Sequence, residues 1–181
     1  MINIKMMLSD FMDLVFAGKI EVYNEFSLQH ELGIFLRERL HDFRVQFERN
    51  VSFFNISNTV KHEIDIVIYN ETERYAIELK QPRNGQHPEQ MFSFIKDIKF
   101  MEQLKEKGFN GTYCLTFVED KLFYSSAIKT GIYSFFRGNA PIHGRIVKPT
   151  GSKDYVLDIM GEYKINWHLA GDKGAYYIVE L

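Results

Sequence analysis

Hydrophobic positions recur along the chain with two periods, and the switches between them outline its elements. Ile4, Met7, Leu8, Phe11 and Val15 follow helical spacing, and Gly18 is placed to stop the helix they predict. A second helix is predicted from about Ser27 to His41, with Leu28, Leu32, Phe35, Leu36 and Leu40 as its apolar stripe. Strand-like text follows: Arg44 to Phe47 alternates, and Val51 to Ile56 is rich in β-formers. Glu63 to Tyr69 is the clearest strand, Asn70 to Glu73 reads as a turn, and Tyr75 to Lys80 is the next strand.

Gln81 to His87, with Pro82, Asn84 and Gly85, reads as a loop, and Pro88 suits the first position of a helix running to about Lys107. Met91, Phe94, Ile95, Ile98, Met101 and Leu104 face inward on that helix, and Gly108 and Gly111 end it. Thr112 to Val118 reads as a buried strand with Lys121 to Tyr124 as its hairpin partner, and Tyr163 to Leu181 as a hairpin around residues 170–174. The order is helix, three strands, helix, strand and further strands. It predicts an α/β layer architecture, a central mixed sheet flanked by helices. No repeat, low-complexity tract or linker divides the chain, so residues 1–181 are expected to form a single domain.

Composition narrows this picture. Of 181 residues, 45% are hydrophobic and 25% charged, which suits one domain with a substantial core. Cys114 is the only cysteine, which excludes a disulfide framework and a Cys-based zinc site and points to a reducing, cytoplasmic setting. No apolar run approaches the roughly 20 residues of a membrane helix. Ser9, Asp10 and Asp13 interrupt the stretch from Met1 to Ile20, so it does not read as a signal peptide. The net charge of −2 argues against a protein that simply coats nucleic acid, yet it hides an asymmetry. Lys121 to Lys153 holds Lys121, Lys129, Arg137, Arg145, Lys148 and Lys153 with no Asp or Glu, so this stretch carries +6 and the rest of the chain −8. Phe123, Tyr124, Tyr133, Phe135 and Phe136 lie within it. Cations for phosphates and rings for bases suit a nucleic-acid strand; the alternative is a half-solvated segment whose rings belong to the core.

The two middle strands carry the candidate chemistry. A turn centred between Glu71 and Thr72 opposes Tyr69 to Arg74, Val67 to Ala76 and Asp65 to Glu78, with Glu63 opposite Lys80. Alternation then puts Asp65, Glu78, Glu63 and Lys80 on one face and Ile64, Ile66, Ile68, Ile77 and Leu79 on the buried other. Opposed carboxylates repel unless compensated, and a divalent cation is a natural compensator. Lys80 shares that face and suits contact with a metal-bound water, or a base role if its pKa is lowered. Metal, lysine and water together suit hydroxide attack on a phosphodiester. The bland alternative is a solvent-facing hairpin with ordinary surface ion pairs.

Asp65, followed thirteen residues later by Glu78-Leu79-Lys80, resembles the bipartite motif of the PD-(D/E)XK nuclease superfamily, whose fold is restriction-endonuclease-like. Ile64 stands where that family often has Pro. The family core, αβββαβ, is the order read above, and the match spans about residues 27–118, with about 119–181 as an extension carrying extra C-terminal strands. The resemblance implies Mg²⁺ or Mn²⁺ held by Glu31, Asp65, Glu78 and the Leu79 carbonyl, with Glu25 and Glu38 as rivals to Glu31. It implies catalytic roles for Asp65, Glu78, Lys80 and Gln90, although Phe94 stands where one large subgroup has Tyr. Arg83 and His87, beside the presumed site, are candidates for substrate phosphates, and Lys129, Arg137, Arg145 and Lys148 for a nucleic-acid track. Asp97 is expected to meet a buried partner instead of a metal, and His62 reads as incidental.

The leading expectation is therefore a metal-dependent nuclease whose partner is nucleic acid, DNA first, although nothing in the sequence separates DNA from RNA. A second is a catalytically inactive domain of the same fold that binds nucleic acid or protein. An unrelated enzyme finds no support, since no phosphate-cradling Gly loop, Gly-x-Ser-x-Gly elbow or His-Glu-x-x-His pattern is present. With the core filling most of the chain, recognition would fall to the C-terminal strands, a homodimer or a partner protein.

Overall fold

Asn3 starts the first helix by accepting the Met6 amide at 3.0 Å, and Gly18, at φ 71°, ends it. In this computed structural model, which describes residues 2–83, 85–151 and 154–181, that helix is α1 (Ile4–Phe16). Met1, Asn84 and Lys153, used in the reading above, lie outside the described residues. The second helix, α2 (Glu25–Arg37), begins earlier than its apolar stripe because Asn24 and Ser27 form a reciprocal capping box. It also ends before His41, leaving Leu40 buried beyond it.

Three strands follow as a meander: β1 (Arg44–Asn50), β2 (Glu63–Tyr69) and β3 (Arg74–Lys80). Val51 to Phe54 is a 3₁₀ turn, not the predicted strand text, because Asn50 caps it on the Ser52 amide and Asn55 leaves it in a left-handed conformation. After α3 (His87–Glu106) the chain enters β4 (Gly111–Val118), which runs parallel to β3. Lys121 to Phe123 is likewise a 3₁₀ turn, capped by Asp120, and not a hairpin partner of β4. That partner comes from the far end of the chain. A short helix, α4 (Tyr133–Arg137), leads to a hairpin of β5 (Ile142–Val147) and β6 (Val156–Tyr163). Then β7 (His168–Leu169) and β8 (Ala175–Glu180) form the C-terminal hairpin, and β8 lies antiparallel on β4. The mixed sheet has six strands in the order β1-β2-β3-β4-β8-β7.

Both faces of this sheet are buried, so every residue of β4 is buried, Thr112 and Thr116 included. On one side Ile66, Ile68, Ile77, Leu79 and Leu115 pack against α1 and α2. On the other, Val67, Ala76 and Cys114 pack against α3. The expected division into one wet and one buried face therefore does not hold. Ile64 departs from it as well, joining the α3 side while Ile66 and Ile68 lie on the other, so the alternation slips at Asp65. Ile142, Ile146, Leu157 and Ile159 of the β5–β6 hairpin join the α3 side of the core. Glu102 holds that hairpin by accepting the Met160 and Gly161 amides at 2.9 and 2.7 Å. Covered on two sides, α3 buries two acids, Asp97 and Glu102, among its apolar residues. No described helix is long and apolar enough to cross a membrane.

The approach of α2 to β1 depends on Gly33, where any Cβ would run into the Phe47 ring. Arg37 in turn lies over that ring at 4.9 Å. Gly33→Ala should destabilise the protein by about 1–3 kcal/mol, measured by chemical denaturation. An unchanged midpoint would contradict this packing.

Candidate functional site

The β2–β3 register is the expected one, with Val67 opposite Ala76 and Tyr69 opposite Arg74. The recorded ladder ends at Ile66 and Ile77, one step short of Asp65 and Glu78. On the other edge of β2, the β1 ladder skips the step between Phe47 and Arg49, where Glu48 takes a left-handed φ of 47°. Strand β2 thus loses its β3 ladder beyond Ile66 and misses one step of its β1 ladder, which resumes in the same register at Arg49 and Ile64, and side chains bind the main chain at Asp65. The Asp65 amide donates to Glu78 Oε1 at 3.2 Å. The Asp65 carbonyl accepts from Gln29 Nε2 at 2.8 Å, and the same Gln29 amide reaches Glu48 at 2.6 Å. Asp65 Oδ2 accepts the Leu79 amide at 2.7 Å. The two acidic residues are brought together as expected, each bound to the other's strand.

Two ammonium groups face them. Lys80 Nζ donates to the Leu79 carbonyl at 2.9 Å and lies 3.4 Å from Glu25 and 3.5 Å from Asp97. Lys61, at the entrance to β2, contacts the Glu78 carboxylate and lies 3.0 Å from Asp97. Asp97 is therefore an ion-pair partner of both lysines, as its buried place on α3 suggested. Glu25 also accepts the Gln81 amide at 3.1 Å, which ties the start of α2 to the end of β3.

Burial sets the proton affinities here. It pushes the Asp65 carboxyl up to about 6, against the pull of Lys61 and Lys80 and the hydrogen bond from the Leu79 amide. Burial, joined by Asp65 and Asp97, pushes Glu78 well above the usual carboxylate range, with Lys61 working against it. Burial alone would lower both lysines. For Lys61, Asp97, Glu78 and Asp65 outweigh it; for Lys80, Asp97, Glu25 and Asp65 do. Lys80 is therefore held above its ordinary value in the metal-free protein, the opposite of the lowered pKa considered from sequence, and it faces the site as a charged donor.

Several sequence-derived candidates lie elsewhere. Glu31 turns to His30 at 3.2 Å on the outer flank of α2, and the helix instead sends Glu25 to Lys80. Glu63 is exposed at the β1 edge and does not pair with Lys80. The Gln90 side chain makes no hydrogen bond among the described residues. His87 binds Asp120 at 2.7 Å and lies edge-on to Phe123, fastening the loop after β3 to the turn after β4. The Leu122 amide and His87 hold the Asp120 carboxyl below its usual range despite the opposing effect of burial. Arg83 is exposed on that loop. In the basic stretch, Phe123 and Phe136 are buried and Tyr124, Tyr133 and Phe135 pack against the core, so its rings do not form an open stacking track. Arg137 donates to the carbonyls of Leu122 and Ile128 over the Tyr133 ring. Lys148 pairs with Glu89 at 2.7 Å. Lys129 and Arg145 remain exposed.

Sequence reasoning missed Lys61, Gln29 and Glu48 and held Glu25, with Glu38, only as a rival to Glu31. Gln29 left one signal, a polar residue directly beside the apolar stripe of α2. Glu25, Glu48 and Asp65 line a small cleft of about 80 Å³ with Phe26, Gln29 and Leu79. Among the described residues no set of three or more His, Cys, Asp or Glu side chains is disposed to hold a metal ion, and Lys61 takes the position beside Glu78. The donor chemistry nevertheless suits a divalent cation. Glu25, Asp65, Glu78 and Asp97 bring four negative charges when ionised against two from Lys61 and Lys80.

An acid whose pKa rises on folding stabilises the fold at low pH. The Asp65 contribution is fully present below about 4 and is lost as pH climbs through about 6. Carboxyl-carbon NMR of the metal-free protein should show Asp65 titrating near 6; a midpoint in the ordinary aspartate range near 4 would contradict the burial described here. Comparison of the chain with protein-family models, with curated proteins and with solved structures returns no match.

Proposed function

We propose that this chain is a metal-dependent nuclease of the restriction-endonuclease-like fold, which hydrolyses nucleic-acid phosphodiester bonds. One observation carries the reading: the β2–β3 ladder ends one step short of Asp65 and Glu78, so that a half-buried and a fully buried carboxylate meet beside Lys80 with negative charge in excess. A purely structural cluster gains nothing from that excess, since uncompensated buried charge is costly. The order α2, β1-β2-β3, α3, β4, with β4 parallel to β3, supports the fold assignment.

Asp65, Glu78 and the Leu79 carbonyl would hold Mg²⁺ or Mn²⁺, with Glu25 in the role first given to Glu31. The bound ion would supply Lewis acidity and a water of lowered pKa. Lys80, kept protonated by Asp97, Glu25 and Asp65, orients the attacking water and neutralises charge developing on the phosphoryl group. Gln29 fixes Asp65 from the main-chain side, holding the acid in place without touching substrate. Arg83, Lys129 and Arg145 are exposed cations able to meet phosphate oxygens. DNA is the first substrate to try.

A second reading, an inactive domain that binds nucleic acid or protein, is favoured by one observation. Lys61 already neutralises Glu78, as a permanent salt bridge would.

Labelled single- and double-stranded DNA and RNA, incubated with Mg²⁺ or Mn²⁺, separate the two. Wild type should cleave at least one class. Asp65→Ala, Glu78→Ala and Lys80→Ala should each lower the rate at least roughly 100-fold, while Glu31→Ala leaves it unchanged, with circular dichroism confirming the fold of each variant. No cleavage of any class, or equal cleavage by the three site variants, would overturn the nuclease reading.

A further inference from the structure

Lys61 occupies surroundings made for a cation. Its Nζ donates to a Glu78 carboxylate with no exposed surface and to Asp97 at 3.0 Å, and it lies 5.7 Å from the Phe100 ring centroid. The lysine side chain keeps 23% of its surface in solvent, so a way out is open. The backbone beside it is fastened independently of the ammonium: the Val51 amide donates to the His62 carbonyl at 2.8 Å and the Val60 amide to Gln103 at 2.8 Å. The flexible stem of a lysine can therefore swing while the loop stays in place.

We propose that the Lys61 ammonium is an internal stand-in for the divalent cation, neutralising Glu78 in the metal-free protein and leaving for solvent when a metal ion takes its place. The inference rests on the metal-binding reading above. An ionised Glu78 buried without any cation is costly, and the Lys61 ammonium offsets that cost before the metal arrives. An ammonium and a divalent ion a few ångströms apart repel, so both cannot share Glu78 at low cost. Metal affinity is then set by competition with a side chain of the same protein. A permanent structural salt bridge behaves differently, because its ammonium stays on Glu78 and gains no exposure to solvent when metal is added.

The test is calorimetric titration of Mn²⁺ into wild type, Lys61→Met and Asp65→Asn. Lys61→Met should bind at least about tenfold more tightly than wild type, and Asp65→Asn more weakly than either. Binding by Lys61→Met alone also supports the exchange. Equal or weaker binding by Lys61→Met, with wild type binding normally, overturns the exchange and leaves the nuclease reading standing. No binding by either protein overturns both. Should Lys61→Met not fold, wild type answers by itself. Acetic anhydride labelling, read by mass spectrometry, should increase several-fold at Lys61 when Mn²⁺ is saturating. Unchanged or reduced labelling overturns the proposal.

Discussion

The carboxylates of Asp65, half-buried, and Glu78, fully buried, meet where the β2–β3 ladder ends, and much of the surrounding structure compensates for withdrawing them from water. A strand that simply continued its ladders would keep its main-chain bonds and leave these acids facing one another in a dry interior. Here the acids accept amides beyond the end of the β2–β3 ladder, and Gln29 donates to the Asp65 carbonyl at the step that the β1 ladder skips. The left-handed Glu48 marks the one step that the β1–β2 ladder skips, and its conformation costs about 1–3 kcal/mol for a residue other than glycine. That cost is borne at the point where the candidate chemistry sits.

The layers explain how the charges reach this point. Because α3 lies between the sheet and the β5–β6 hairpin, its acids are buried, and Asp97 becomes the shared partner of Lys61 and Lys80. The capping box at Asn24 sets where α2 starts, and so aims Glu25 at the end of β3. Lys61 arrives from the segment between the 3₁₀ turn and β2, whose length frees it from the strand pleat. Two helices, two strands and a loop thus send charges to a common place, and no one of them forms the site by itself. The basic C-terminal half is engaged otherwise: its aromatic rings complete the core beneath α3, and two of its cations bind partners within the protein.

Much of this was legible in the sequence, for reasons that also mark the boundary. The β2–β3 register followed from hydrophobic parity and a polar turn, so the meeting of Asp65 with Glu78 was readable from spacing. The element order, the helix stop at Gly18 and the C-terminal hairpin followed in the same way. Two strand predictions failed where asparagine or aspartate caps outweighed β-propensity, at Asn50 and Asp120. The pairing of β4 with β8 was hidden because it joins residues far apart in the chain. Glu31 appeared better placed than Glu25 because a helical stripe gives the inward face but not which turn points along the sheet. Lys61 left no periodic trace at all, since it lies in a loop and its role depends on three acids from separate elements.

The account turns on whether a divalent cation belongs at the parting of β2 and β3. Anomalous scattering from crystals equilibrated with Mn²⁺ addresses this without relying on turnover. The account predicts a peak within about 2.0–2.3 Å of an Asp65 carboxylate oxygen. Density for the Lys61 ammonium still seated on Glu78, with no such peak at saturating Mn²⁺, would contradict it.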